Sequence, residues 1–180
     1  MRIIGGKYSG RIIQAPSGLP VRPTTDYAKS ALFNILSHRF DLEGFKVLDL
    51  FAGIGGVSLE FLSRGAASVT AVDQHLPCLK FIRETANKLG EENLETVKSD
   101  VFKYLKSCTE KFDLIFADPP FDLKETDKIP QLVFESNLLK EGGWLIIEHQ
   151  SKRKLVTSIP FETRIYGNCG FSIFINNAKE

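Results

Sequence analysis

Residues 46–56 read KVLDLFAGIGG. An apolar run interrupted only by Asp49 ends at Gly53, Gly55 and Gly56, and a helical stretch from Val57 to Ser63 follows. A nearly continuous apolar strand delivered into a glycine turn and a helix belongs to a parallel sheet covered on both faces. The pattern recurs along the chain. Lys46 to Ala52, Ser68 to Asp73, Leu94 to Asp100, Phe112 to Asp118 and Trp144 to His149 read as strands. Helical stretches lie between them, around Pro77 to Leu89, Val101 to Ser107 and Glu125 to Leu139. FETRIYG and GFSIFIN, flanking Asn168 to Gly170, read instead as an antiparallel closing hairpin. The class is therefore α/β, a doubly wound, mostly parallel sheet.

Ahead of this repeat, RIIGGKYSGRIIQAP has two short β-branched runs, Arg2 to Ile4 and Arg11 to Gln14, which predict a hairpin. A helix follows, with Thr24, Thr25 or Asp26 as N-cap and Ala28, Ala31, Leu32, Ile35 and Leu36 at helical spacing. Residues 1–40 read as a basic extension, not an independent domain, and residues 41–180 as the main domain. The 180-residue length suits one compact unit. No apolar stretch is long enough to span a bilayer, and the first residues lack the apolar core of a signal peptide, so the cytoplasm is the expected compartment, with no membrane partner. Cys78, Cys108 and Cys169 are far apart and not paired in spacing with His38, His75 or His149, which argues against a zinc site or a disulfide framework. Net charge is +1, but Arg2, Lys7, Arg11, Arg22, Lys29 and Arg39 face Asp26 alone in the first forty residues. A basic front on an otherwise acidic chain suits a polyanion such as nucleic acid.

Ligands of open parallel sheets bind at the carboxyl ends of the strands, and here those ends are acidic. Asp49 and the glycines end the first strand, Asp73 the second, and Asp100 the third. The glycines let backbone approach a ligand. A dinucleotide fingerprint is incomplete because its last glycine falls on Ser58, and the Lys-Ser/Thr of a P-loop is missing. Asp73, about twenty residues after the glycines, can take the hydroxyls of a ribose. Asp100 is placed to accept from the amine of an adenine. Together they specify an adenosine-containing ligand better than any one does, although Asp49 could brace the loop and Asp73 or Asp100 could cap the next helix. The fourth strand ends FADPPF, Phe116 to Phe121. Its prolines hold the chain extended and remove amide donors, leaving carbonyls to face outward. A carboxylate and a carbonyl that both accept from an amine orient it and stabilise its growing positive charge, while Phe121 offers a face to a flat base.

DLFAGIGG, Asp73, Asp100 and DPPF in this order resemble the S-adenosylmethionine-dependent methyltransferases of the seven-stranded class, in particular the amine-methylating branch. RIIGGKYSGR, RPTTD, ALFNIL, LSRGA and DPPF further resemble the RsmD-like family of bacterial small-subunit (16S) rRNA guanine-N2 methyltransferases, over essentially the whole chain. The resemblance implies a Rossmann-like seven-stranded sheet with an antiparallel last strand. It also implies S-adenosylmethionine as cofactor and 16S rRNA, within the small ribosomal subunit, as partner. By the same resemblance Asp49, Phe51, Gly53, Gly55, Asp73, Asp100 and Val101 would bind the cofactor, and Asp118, Pro119, Pro120 and Phe121 would be catalytic, with no metal. Arg2, Lys7, Tyr8, Arg11 and Arg22 are the candidate RNA contacts, and a monomer is expected. Two departures stand out: Ile54 where the family reads FAGSG, and Tyr27-Ala28-Lys29-Ser30 where it reads Arg-Val-Arg-Glu, which touches the RNA contact. Rival readings are a DNA adenine-N6 methyltransferase, disfavoured because 180 residues leave no room for a large target-recognition domain; an NAD-dependent oxidoreductase, disfavoured by Ser58; and a non-catalytic RNA-binding assembly factor.

Overall fold

The computed structural model describes residues 1–19 and 24–177. One seven-stranded sheet organises them: β1 (Lys46–Leu50), β2 (Ser68–Asp73), β3 (Leu94–Lys98), β4 (Phe112–Ala117), β5 (Leu139–Gln150), β6 (Glu162–Tyr166) and β7 (Cys169–Ile175). The order is β3-β2-β1-β4-β5-β7-β6, with β1 to β5 paired in parallel and β7 antiparallel to both of its neighbours. The sheet expected from the sequence is thus the one that forms. Strand order reverses between β1 and β4, the switch point where such sheets open a crevice.

The helices are α1 (Asp26–Ser37), α2 (Gly56–Ser63), α3 (Leu76–Leu89), α4 (Val101–Ser107) and α5 (Ile129–Glu135). Val47, Leu114, Ile146 and Phe171 pack on one face with Phe33 and Leu36 of α1 and Leu59 and Phe61 of α2. Leu48, Ile115, Leu145 and Phe174 pack on the other with Leu105 of α4 and Ile129 and Val133 of α5. With both faces buried, alternate residues are equally apolar, which is why the strands read as unbroken hydrophobic runs. Thr25 proves to be the N-cap of α1: its hydroxyl accepts from the Ala28 amide at 3.1 Å.

Two expected elements differ. The helix read from Glu125 to Leu139 divides into a 3-10 turn, Lys124–Lys128, and α5, where Pro130 in the first turn starts a new helix. Leu139 then opens β5, which carries a register shift against Phe112 and Leu114. Gly142 (φ 73°) and Gly143 make that bulge, for a Cβ on Gly143 would lie 2.9 Å from the Lys140 carbonyl oxygen.

The N-terminal arm forms the expected hairpin: Met1 and Ile13 exchange backbone hydrogen bonds at 2.9 and 2.8 Å, the Ile3 amide donates to the Arg11 carbonyl at 2.9 Å, and the Arg2–Ile12 bridge lies between them, ahead of a 3-10 turn at Gly6–Tyr8. Amides nearer the turn bond α2 instead. Those of Ile4 and Gly5 donate to the Glu60 carboxylate at 2.8 and 2.7 Å, and that of Tyr8 donates to the Ser63 hydroxyl at 3.0 Å. Glu60 is wholly buried and also meets Arg64 at 2.9 Å and the buried Lys29 ammonium at 3.6 Å. A buried carboxylate with four such partners is stable only while they remain. Ile3 completes the attachment by entering the core with α1 and α2.

Glu60→Ala should therefore cost about 3–5 kcal/mol in urea unfolding and expose residues 1–10 to proteolysis, because the Lys29 charge is left buried without its partner. A loss below about 1 kcal/mol, the range of exposed ion pairs, would contradict this role.

Candidate active site

Beyond β1 the chain turns sharply. Phe51 takes a left-handed conformation (φ 61°), uncommon for a residue with a side chain, and Gly53 (φ 54°) and Gly55 (φ 77°) follow. A Cβ on Gly55 would lie 2.7 Å from Ile82 Cγ1, so the glycine also lets α2 start against α3. The Ala52 amide donates to the Val72 carbonyl at 3.1 Å and the Gly55 amide to the Ala52 carbonyl at 2.8 Å. The turn is thereby tied to the end of β2.

The acids that end the strands hold this loop and the helices after it. Asp73 accepts from the amides of Gly53 and His75, both at 2.8 Å, joining the glycine turn to the start of α3. Asp100 caps α4 through the Lys103 amide at 3.0 Å and accepts from the Gln74 amide nitrogen at 2.9 Å. The capping role left open for Asp100 by its sequence is thus used. Asp49 is buried and accepts from the Ser58 hydroxyl. Burial pushes its carboxyl up to about 7; the Ser58 hydrogen bond opposes that shift, and the charge of Asp73 adds to it. Val101, the first residue of α4, has its side chain buried in the core, which leaves its backbone as the part a ligand could reach.

At the end of β4 the Asp118 amide donates to the Leu50 carbonyl at 3.3 Å, setting Asp118 beside the end of β1. Pro119 is buried, and Phe121 is 53% exposed. The loop between them is pinned from behind. The Pro120 carbonyl accepts from the Leu123 amide at 2.9 Å. Arg153 donates to the carbonyls of Phe121 and Leu123 at 3.3 and 3.1 Å and pairs with Asp127 at 3.6 Å. The Phe121 ring is left facing solvent.

Three residues outside the sequence-derived set join Asp118. Glu148 stands one step beyond the level pair Ala117 and Ile147 of β4 and β5, and so on the same face as Asp118. Its Oε1 accepts from the Cys169 thiol at 3.2 Å. Burial, then the charges of Glu148 and Asp49, push the Asp118 carboxyl well above the usual carboxylate range, against a hydrogen bond from the Thr24 side chain. Burial raises Glu148 as well, and burial with the Glu148 charge raises the Cys169 thiol. From the sequence Glu148 reads as an acid at the end of the fifth strand, placed either to line the substrate side or to cap the next segment, and it stays outside the expected site. Its pairing with Asp118 depends on β4 and β5 being neighbours, and no local motif states that.

A family profile described as conserved hypothetical protein 95 matches residues 1–174. The chain belongs to this RsmD-like family. The small-subunit rRNA methyltransferase D of Escherichia coli K12 is 34% identical over 151 residues, 82% of this chain and 71% of that protein. YlbH of Bacillus subtilis is 30% identical over 182 residues, 97% of this chain and 98% of its own. Among solved structures, yhhF of Escherichia coli superposes with a TM-score of 0.85 at 26% identity over 99% of each chain. The family is one of rRNA methyltransferases, and its fold is the Rossmann-like one.

Within the RsmD-like frame, the N-terminal cations divide. Lys7 pairs with Glu91 at 2.6 Å, and Arg2 with Asp26 at 3.2 Å. The Tyr8 hydroxyl donates to the Leu89 carbonyl at 2.7 Å, with Lys7 and Arg11 over its ring at 5.2 and 5.3 Å. Hydroxyl and ring of Tyr8 thus both have partners within the arm and α3. Arg11 is exposed, and Arg22 lies outside the described residues. Lys29 stands where the family has its second arginine, and it lies buried against Glu60, so the cation at that position holds the fold together. Tyr27 is 62% exposed and lies 3.6 Å from where a Cβ on Gly167 would stand, an aromatic beside the β6–β7 turn.

Asp49 generates a pH dependence. Its carboxyl sits above its ordinary value of 3.8, so the folded protein holds a proton that the unfolded chain releases, and stability falls as pH rises from 3.8 through about 7. Asp49→Asn keeps an acceptor for Ser58 and should flatten part of that slope in thermal melts between about pH 5 and 8, gaining on the wild type at the alkaline end. Parallel wild-type and variant slopes would contradict the assignment.

Proposed function

We propose that the protein transfers a methyl group from S-adenosylmethionine to the exocyclic N2 amine of a guanine in 16S rRNA of the small ribosomal subunit. The observation that carries this reading is the end of β4. There a half-buried carboxyl whose proton affinity burial raises, a proline-held loop and an exposed aromatic ring sit together beside the glycine turn of β1. The names of the curated relatives, rRNA small-subunit methyltransferase D, point to the same RNA.

The residues present fit the cofactor. Asp49 is a buried carboxyl whose ionisation is suppressed by the lack of a compensating charge, and a cationic sulfonium is such a charge. The turn at Gly53 and Gly55 would hold the methionine portion, Asp73 the ribose, and Asp100 with the Val101 backbone the adenine. Bound S-adenosylmethionine supplies an electrophilic methyl group.

Everything else in the reaction falls to this chain. The base must be unpaired or flipped, since its amine is otherwise engaged. Phe121 stacks against the ring, at low cost because its loop is already fixed by Arg153. Asp118 and the Pro119 carbonyl accept from the two N2 hydrogens, which aims the nitrogen lone pair and stabilises positive charge as it develops there. The raised proton affinity of Asp118 suits it to hold the proton that the methylated amine gives up. Residues 41–180 form the catalytic domain in this account, and the exposed Arg11 with Arg22 extends the RNA contact.

Labelled methyl should pass to small-subunit rRNA lacking the modification and appear as N2-methylguanine by mass spectrometry. Asp118→Ala should reduce transfer at least about 100-fold, the range for losing one transition-state hydrogen-bonding partner, with S-adenosylmethionine affinity retained. Label in DNA, or cofactor binding without transfer, would overturn the proposal.

A further inference from the structure

Glu148 has no part in the mechanism above, yet its position is costly. Its side chain is 6% exposed, and Oε1 is taken by the Cys169 thiol. Oε2 is sealed from solvent and has no hydrogen-bond partner among the described residues. A buried carboxylate oxygen without a donor is destabilising, and such groups are retained where a ligand completes them. Glu148 is also the neighbour of Asp118. Level residues of adjacent strands stand about 4.8 Å apart, with side chains on one face. The two acids therefore form a pair whose joint ionisation is opposed by burial and by each other.

What relieves such a pair is a ligand edge with two adjacent donors. Guanine has one, N1–H next to the N2 amine. Adenine shows a lone pair at N1, and so does 2-aminopurine, which keeps the 2-amine. We propose that Glu148 is a specificity-determining residue that accepts the N1–H of the target guanine while Asp118 accepts from N2. Resting on the guanine-N2 reading, this gives that site its means of rejecting other amine-bearing bases. A base with a lone pair at N1 leaves Oε2 unpaired and sets two electron-rich atoms against each other, the arrangement by which a polar site rejects an analogue most strongly.

The test compares small-subunit particles carrying guanine or 2-aminopurine at the nucleotide that the wild-type enzyme is found to methylate. Wild type should favour guanine. In Glu148→Gln the amide can turn its NH2 toward an N1 lone pair, and the guanine preference should shrink by roughly 10–100-fold, the range for one lost base-reading contact. Glu148→Asp, which keeps the carboxylate, should retain the preference at a lower rate. Equal binding of S-adenosylmethionine and equal melting temperature in the variants separate this effect from a folding defect, and quenching of 2-aminopurine fluorescence gives a binding readout independent of turnover. An unchanged preference in Glu148→Gln, with wild type active on guanine, would overturn this inference alone. Failure of the wild type to methylate guanine at all would overturn the reading beneath it.

Discussion

In-register parallel pairing of β1, β4 and β5 sets Asp49 level with Phe116, and carries the next outward positions on that face to Asp118 and Glu148. One sheet face therefore runs from a dry hydrophobic core straight into a group of carboxyls at its carboxyl edge. The core beneath them keeps water away, and the same burial raises their affinity for protons. Position and reactivity of the acids both follow from strand register. Slipping one strand by a residue would turn its acid to the opposite face.

Carboxyls arranged this way favour cations and hydrogen-bond donors, and the rest of the molecule presents both to them. The glycine turn beside Asp49 leaves backbone, not side chains, at the end of β1, where a cationic ligand is expected. The loop after Asp118 is fixed by Arg153 so that Phe121 stays exposed. Around the far side, Glu60 draws the N-terminal arm, Lys29 and Arg64 together, which fixes α1 against α2. A wholly buried acid thus organises the approach to the partly buried ones.

Sheet, strand ends and glycine turn were legible in the sequence because each is a local pattern: apolar runs of strand length, Gly53 to Gly56, and an acid at the last position. The hairpin of the arm was legible too, in the β-branched runs of RIIGGKYSGRII, but its anchorage was not: the amides of Ile4, Gly5 and Tyr8 bond acceptors on α2 that lie 55 or 56 residues away, and that contact is tertiary. Leu139 looked like the end of a helix because a glycine bulge, not a turn, opens β5. The partner of the Tyr8 hydroxyl, the Leu89 carbonyl, was not legible because it lies 81 residues away. The link of Glu148 to Asp118 was invisible for the same kind of reason, since it exists only once strand order is known.

The most direct measurement is a crystal structure of the protein with S-adenosylhomocysteine and guanosine. The account predicts the guanine ring against Phe121, with N2 within hydrogen-bonding distance of the Asp118 carboxylate and the Pro119 carbonyl. Guanosine bound elsewhere, or seated with its ribose or its O6 edge toward Asp118, would contradict it.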